Sequence, residues 1–163
     1  MNDIVVGMGE ALWDVLPEGK KIGGAPANFA YHVSQFGLPS CVVSAVGDDA
    51  LGNEIIENFT SKGLNHLIEK VPYPTGTVQV EIDQAGIPQY EIKENVAWDN
   101  IPYTARLEQL AGRTKAVCFG SLAQRNIVSR NTINRFLDAM PQSDDCLVVF
   151  DVNLRQGFYN KEI

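Results

Sequence analysis

The apolar positions of this chain fall into two repeating patterns. Continuous runs rich in β-branched residues, typical of parallel strands covered on both faces, occupy residues 4–8, 41–46, 116–120 and 147–152. Between these runs, apolar residues recur at helical spacing around Phe29, Ile55 and Ile133, which indicates amphipathic helices. The alternation predicts an α/β fold with an open, mostly parallel sheet flanked by helices.

Residues 75–93 interrupt this alternation. Polar and apolar residues alternate here on both sides of a predicted Gln84-Ala85-Gly86 turn, with the apolar positions at Val78, Val80, Ile82, Tyr90 and Ile92. This pattern predicts an antiparallel hairpin with one solvated face. Such a hairpin would bring polar residues into a buried sheet, so we expect a separate small antiparallel β lid, with lid strands near residues 10–22 and 75–93.

The apolar face of this hairpin, at Val78, Val80 and Ile82, needs a cover. An isolated hairpin is marginal in water, and exposed strand edges invite pairing. We do not expect the α/β layer to supply the cover. The lid of a second subunit would supply it, so we expect a homodimer through the β lid.

Composition and charge exclude several classes of function. Lys and Arg number 13 against 20 Asp and Glu, for a net charge of −7, and without a basic run no nucleic-acid partner is expected. The apolar run at residues 4–8 is too short for a signal peptide or a membrane helix, so we expect a cytoplasmic location and no membrane partner. Cys41, Cys118 and Cys146 lack metal-ligand spacing and are interpreted as buried thiols, so no metal site is expected.

One glycine-rich segment leads into the first predicted helix. It reads Gly23-Gly24-Ala25-Pro26-Ala27-Asn28-Phe29-Ala30, and Gly37 and Gly47 follow it. Paired glycines let the backbone approach a ligand closely, and Asn28 offers a hydroxyl group both a donor and an acceptor. A Gly-Gly pair alone is weak evidence. The whole segment, with both later glycines in register, resembles the first signature of the ribokinase-like (PfkB-family) carbohydrate kinases.

This resemblance implies a ribokinase-like fold, most like a fructokinase, with substrate-binding residues at Gly23, Gly24 and Asn28. It also implies that Asp14 accepts hydrogen bonds from sugar hydroxyl groups, which suits an ionised carboxylate. From the residues alone, a solvated loop position is the alternative for Asp14.

The resemblance implies further substrate contacts along the chain. Tyr90 and Trp98 lie where similar kinases present aromatic rings to the sugar, although core packing is the alternative for Trp98. Ser121, at the end of a predicted strand, corresponds to a pocket residue. Asn153 and Arg155 belong to a stretch, Asp-x-Asn-x-Arg, that resembles fructokinases; Arg155 would bind a sugar oxygen or the transferred phosphate, with a surface ion pair as the alternative.

Members of this family are nearly twice as long as residues 1–163. Their second signature, Asp-Thr-x-Gly-Ala-Gly-Asp, carries the base and the phosphate-binding backbone; it is not found in this sequence. We therefore expect residues 1–163 to be the amino-terminal part of a kinase domain whose carboxy-terminal nucleotide-binding half is absent, with the base beyond Ile163. ATP and Mg²⁺ are expected cofactors of the full-length enzyme, and this chain alone is expected to bind neither and to be inactive.

The expected function is ATP-dependent phosphorylation of a sugar hydroxyl group by the full-length enzyme. A 2-keto-3-deoxygluconate kinase or another ribokinase-family kinase is an alternative. Similar keto-acid kinases carry an arginine in the lid near the position of Ile92, where this chain has an apolar residue. A non-catalytic sugar-binding or assembly module is a second alternative.

Overall fold

A computed structural model describes residues 3–82 and 88–163. The predicted turn at residues 84–86 lies outside the described residues. The strands are β1 (Ile4–Met8), β2 (Leu12–Leu16), β3 (Gly19–Gly23), β4 (Ser40–Gly47), β5 (Asn65–Val71), β6 (Thr77–Ile82), β7 (Pro88–Ile92), β8 (Thr114–Gly120) and β9 (Leu147–Asp151). The helices are α1 (Ala25–Gln35), α2 (Ala50–Ser61), α3 (Ala105–Ala111) and α4 (Ile127–Ala139), with short 3-10 helices at Ala97–Asn100 and Leu122–Gln124.

The larger sheet is parallel and has the strand order β5-β4-β1-β8-β9. Helices α1 and α2 pack on one face through residues such as Ala30 and Ile55. Helices α3 and α4 pack on the other face through Leu107 and Phe136. Because both faces of the inner strands are covered, their apolar runs are continuous rather than alternating. The fold class predicted from the sequence is confirmed.

A second sheet, which we call the flap, has the strand order β3-β2-β6-β7. Its outer pairs, β2–β3 and β6–β7, are antiparallel, whereas β2 and β6 are parallel. The chain crosses from the large sheet into the flap after β1 and returns at the β3–α1 junction. The start of α1 is therefore tied to both sheets.

The prediction that the hairpin's apolar face needs a cover from another subunit is wrong for Val78 and Val80. These side chains are only 6% and 8% exposed, and they belong to the same core cluster as Val6 and Met8 of β1. Other residues of the same chain bury them. Nothing is described for the side chain of Ile82.

Strand β9 is an edge strand with exposed apolar side chains. Leu147, Val148, Val149 and Phe150 are between 40% and 62% exposed, although their pattern is that of a strand covered on both faces. No helix among the described residues is long and apolar enough to cross a membrane.

Helix α2 has a cap that also ties down the segment before β6. Asp49 is its N-cap and accepts a 2.8 Å hydrogen bond from the Gly52 N–H. The same carboxylate accepts hydrogen bonds from the Thr75 N–H at 2.9 Å and the Thr75 hydroxyl at 2.6 Å. Burial alone would raise the pKa of Asp49, but the hydrogen bonds from Thr75 and Gly52 outweigh it and hold the pKa below its ordinary value.

Candidate functional site

The carboxylate of Asp14 is packed against the backbone of Gly23. These residues lie on neighbouring antiparallel strands, β2 and β3, and a Cβ on Gly23 would overlap Oδ2 of Asp14. Glycine at position 23 therefore leaves the space that the carboxylate occupies. Asp14 is half-buried, and this burial raises its pKa, as expected for a charge held partly out of water.

The next residue, Gly24, is the N-cap of α1. Its φ of +107° suits glycine, and a Cβ there would overlap the carbonyl oxygen of Glu10. The Gly24 carbonyl accepts a 2.9 Å hydrogen bond from the Asn28 N–H, while the Asn28 side chain is exposed. The structure thus brings Asp14, Gly23, Gly24 and Asn28 together where the flap meets α1.

Asp14 and Tyr90 share one face of the flap. In the strand register Asp14 lies opposite Val78 of β6, and Tyr90 of β7 lies opposite Val80; paired residues in a sheet present side chains to the same face. The two valines are buried on this face, whereas Tyr90 is 54% exposed. The face therefore combines an apolar floor with a carboxylate and an accessible phenol.

Ser121 fastens the segment that follows β9. It is buried, and its hydroxyl group donates to the Val152 carbonyl at 3.0 Å and lies 3.4 Å from the Asn153 carbonyl. The Ser121 hydroxyl group is therefore bonded to backbone carbonyl groups of the same chain. In this structure Ser121 positions Asn153, whose side chain is exposed.

The segment after β9 reaches the flap beside Arg155. The Gln156 amide donates a 2.7 Å hydrogen bond to the carbonyl oxygen of Tyr90. Arg155 itself is exposed, and its carbonyl accepts from the Phe158 N–H at 3.0 Å. The chain thereby brings the predicted Arg155 close in space to the strand that carries Tyr90.

Trp98 is separate from this group. It lies in the 3-10 helix Ala97–Asn100, is 1% exposed and belongs to the core cluster. The Arg125 guanidinium covers its ring at 4.2 Å. Core packing, which the sequence left open, describes the position of Trp98, and its ring is not accessible to a ligand in this structure.

Sequence reasoning missed the buried ion pair between Asp99 and Arg125. Arg125 Nε and Nη2 donate to the Asp99 carboxylate at 2.8 and 2.9 Å, and Nη2 also donates to the Lys93 carbonyl at 2.6 Å. The guanidinium also lies 4.6 Å from the ring of Phe158. Arg125 therefore joins the end of β7 to the carboxy-terminal segment. Arg125 lies two residues beyond Ala123, and nothing in the spacing of the sequence there predicts the ion pair with Asp99.

Sequence reasoning also missed Glu10, which directly follows Gly9 after β1. Glu10 is 4% exposed, and its Oε2 has no hydrogen-bond partner among the described residues. Burial raises its pKa, and the charge of Asp151 acts in the same direction; the N–H groups of Glu10 and Ala25 and the charge of Arg125 oppose this shift. A carboxylate at the carboxyl end of a buried strand is the signal that could have found it.

A large cavity lies elsewhere. Its volume is about 1010 Å³, and its lining includes Ile4, Cys41, His66, Arg106 and Arg113, at the amino-terminal ends of the parallel strands. It contains none of the predicted site residues. We place the candidate site at the opposite, carboxyl ends, where ligands bind in open α/β sheets.

The described residues offer no evident metal site. No group of three or more His, Cys, Asp or Glu side chains among residues 3–82 and 88–163 could hold a metal ion.

Comparison with known proteins identifies the family. Residues 17–161 match the model of the pfkB family of carbohydrate kinases. The chain therefore belongs to the pfkB family.

Three curated kinases illustrate the sequence similarity of this chain to known proteins. An uncharacterized sugar kinase of Pyrococcus horikoshii is 32% identical over 138 residues, covering 83% of this chain and 44% of the relative. An ATP-dependent 6-phosphofructokinase of Thermoanaerobacterium thermosaccharolyticum is 30% identical (87% and 44% covered), and 5-dehydro-2-deoxygluconokinase 2 of Bacillus cereus is 28% identical (88% and 44%). The chain spans 44% of the length of these curated relatives.

Solved structures agree with this assignment. The uncharacterized sugar kinase of Pyrococcus horikoshii superposes with a TM-score of 0.81 at 29% identity, covering 98% of this chain and 58% of that chain. Its complex with ATP gives a TM-score of 0.78 at 31% identity, covering 93% and 53%. A fructokinase of Vibrio cholerae gives a TM-score of 0.81 at 23% identity, covering 99% and 57%, which shows the shared fold.

Proposed function

We propose that residues 1–163 form the sugar-binding part of a longer ATP-dependent sugar kinase. The observation that carries this proposal is the position of the Asp14 carboxylate. It is half-buried against Gly23, on a flap face that also holds Tyr90, and beside the Gly24–Asn28 turn of α1.

This arrangement suits recognition of a sugar. A carboxylate accepts strong hydrogen bonds from hydroxyl groups, and such charge-assisted bonds contribute more than neutral ones. The exposed phenol of Tyr90 offers an aromatic face for the C–H groups of a sugar. Asn28 adds a donor and an acceptor at the start of α1.

The chemistry of the same face supports a neutral sugar as the proposed substrate. Ile92 lies opposite Val78 and packs against the core cluster, so this position offers no cation for a substrate carboxylate. This favours a neutral sugar, as in a fructokinase, over 2-keto-3-deoxygluconate. A 2-keto-3-deoxygluconate kinase and a non-catalytic sugar-binding module are the alternatives that the test below separates.

The proposal assigns phosphoryl transfer to polypeptide beyond this chain. The exposed apolar side chains of β9 support it, because a strand with apolar residues on both faces is stable when further layers cover it. ATP and Mg²⁺ are proposed for the longer enzyme on the family resemblance, and neither is assigned to a residue described here. Residues 1–163 alone would then not turn over substrate. A cytoplasmic location is proposed from the composition.

The test is an ATP-consumption assay on the longer kinase and on residues 1–163 alone. The sugar panel contains fructose, ribose, fructose 6-phosphate and 2-keto-3-deoxygluconate, with nucleosides as further acceptors. We expect turnover by the longer kinase with a neutral sugar and none by the chain alone. Absence of turnover with every acceptor would favour the non-catalytic module, and turnover restricted to the keto acid would favour the first alternative.

We also propose that two copies of the chain associate around Tyr90. The β3 edge of the flap carries Lys20 and Lys21, which discourage strand pairing. On the β7 side, Gln156 already donates to the Tyr90 carbonyl, so the exposed Tyr90 side chain and not the strand backbone would carry the contact.

A further inference from the structure

Glu10 lies where both crossings between the large sheet and the flap meet. The outgoing crossing follows β1 through Gly9, Glu10 and Ala11, and the returning crossing is Gly23-Gly24. A Cβ on Gly24 would overlap the Glu10 carbonyl and lie 3.2 Å from the Ala11 Cα. The two crossings are therefore in direct contact, and Glu10 is at that contact.

Helix α1 has no side-chain cap of its own. Its N-cap is Gly24, which has no side chain to accept from the first N–H groups, and Pro26 in the first turn has no N–H. The Ala25 N–H lies near the carboxyl group of Glu10, where it favours the charged form and opposes the rise in pKa that burial causes. Glu10 thus places at the start of α1, from the end of β1, a carboxyl group of the kind that an aspartate supplies at an ordinary helix start.

The surroundings of Glu10 make this an enclosed group. A Cβ on the preceding Gly9 would lie 2.9 Å from Pro26 Cγ and 3.3 Å from Ala123 Cβ, so the first turn of α1 and the Leu122–Gln124 helix wall off this crossing. The charges of Glu10 and Asp151 both act on the Cys118 thiol, adding to the effect of burial in raising its pKa. Glu10 therefore lies against the start of α1, with Cys118 of β8 and Asp151 of β9 near enough for their charges to interact.

Burying a carboxyl group this deeply is costly unless it is well paired. The positive end of α1 offsets part of that cost, but Oε2 keeps no partner among the described residues. An apolar side chain would fill the space without this penalty. A packing role alone therefore does not account for the carboxyl group.

We propose that Glu10 is a positioning residue of the sugar site, which fixes the first turn of α1 and thereby Gly24 and Asn28 relative to Asp14. It acts through the Ala25 N–H and the contact between the two crossings, without touching the substrate. This inference rests on the proposed function, because the position of Asn28 matters to a substrate only if a sugar binds beside it.

Two variants separate positioning from packing. Glu10→Ala removes the acceptor, whereas Glu10→Gln keeps the shape and an oxygen for the Ala25 N–H. Asp48→Ala is the matched control, since Asp48 is an exposed carboxylate before α2, outside the site. Thermal melts of all variants show which of them fold.

Hydrogen exchange on residues 1–163 tests the local effect without any substrate. We expect Glu10→Ala to speed exchange of the Ala25, Ala27 and Asn28 amides at least about tenfold, with α2 amides unchanged and Glu10→Gln close to the unsubstituted chain. Unchanged exchange at the start of α1 in a folded Glu10→Ala variant would overturn the proposal. If Glu10→Ala does not fold, Glu10→Gln provides the test. Exchange of these three amides that is faster in Glu10→Gln than in the unsubstituted chain would overturn the proposal, and exchange as slow as in the unsubstituted chain would support it.

Kinetics of the longer kinase test the consequence for the sugar. We expect Glu10→Ala to raise KM for the sugar about tenfold, to leave KM for ATP unchanged, and to be rescued by Glu10→Gln. Equal effects on both KM values, or none, would overturn the positioning role while leaving the proposed function intact. An unsubstituted longer kinase without sugar turnover would instead contradict the proposed function, and the exchange data would still report whether Glu10 holds α1.

Discussion

The Asp14 carboxylate occupies the space that a side chain at Gly23 would fill. Because β2 and β3 are antiparallel neighbours and Gly23 directly precedes the N-cap of α1, one steric relationship links the flap, the carboxylate and the helix start. The glycine of the signature segment is thus explained by a specific neighbour.

Substituting Gly23 with alanine tests this relationship. The new Cβ would displace Asp14, so we expect a stability loss of about 1–3 kcal/mol, as for overpacked sites, and weaker sugar use by the longer kinase. Gly112→Ala is the control, because its Cβ would meet neighbours only at 3.8 Å or beyond. Thermal melts and KM for the sugar are the measurements; a Gly23→Ala enzyme indistinguishable from Gly112→Ala would refute the relationship.

Asp14→Asn tests the charge of the carboxylate. We expect kcat/KM for the sugar in the longer kinase to fall roughly 10- to 100-fold, the loss of one hydrogen bond to a charged group of about 1.5–3 kcal/mol, with KM for ATP unaffected. Unchanged sugar kinetics would remove Asp14 from the site.

Asp14→Asn is expected to impair sugar use but to increase the stability of the folded chain. Burial raises the pKa of Asp14, so ionisation destabilises the folded chain increasingly as pH rises through that raised pKa, and not at all below its ordinary value. We therefore expect Asp14→Asn to unfold at a higher temperature than the unsubstituted chain near pH 7, with the difference vanishing in acid. Melting curves between pH 3 and pH 8 check this.

Asp49→Ala tests the cap of α2. We expect a loss of about 2 kcal/mol in the free energy of unfolding, from the cap and the Thr75 hydrogen bonds. Since the pKa of Asp49 is lowered, its stabilisation is complete above the ordinary aspartate pKa and is lost as pH falls through the folded-state value. In urea unfolding, the difference in the free energy of unfolding between Asp49→Ala and the unsubstituted chain should become smaller in acid. The control is Asp48→Ala, at the exposed neighbouring residue, which should change the free energy of unfolding little.

Association through Tyr90 predicts a light-scattering mass twice that of one chain. Tyr90→Lys should give monomers, because it places a charge at the proposed contact. Tyr73→Lys substitutes another exposed tyrosine, outside the flap, and should leave the mass unchanged. A monomer before any substitution would rule out the dimer.

The sequence predicted the elements whose patterns are local. The continuous apolar runs of β1, β4, β8 and β9 and the helical spacing around Phe29, Ile55 and Ile133 carry their own signals. Strand β5, Asn65–Val71, is an edge strand in which polar and apolar residues do not alternate regularly, and the seven-residue helix α3 is too short for a clear periodicity; neither was predicted.

Long-range contacts account for the remaining errors. The burial of Val78 and Val80 depends on how the flap packs on the α/β layer, which no local pattern encodes. The pairing of Asp99 with Arg125 joins residues 26 positions apart, and the contact between Glu10 and the start of α1 depends on where the chain returns from the flap. Gly23 and Asn28 could be identified because they belong to the signature segment, and Asp14 because the family resemblance of that segment implies a carboxylate there.

Sugar-dependent protection from hydrogen exchange in the longer kinase tests the central claim most directly. The account predicts that a saturating sugar, without ATP, slows exchange at β2 and at residues 23–28, and leaves residues 60–67 beside the large cavity at the opposite end of the sheet unchanged. Protection confined to segments beyond residue 163, or to residues 60–67, would contradict the claim that this chain binds the sugar.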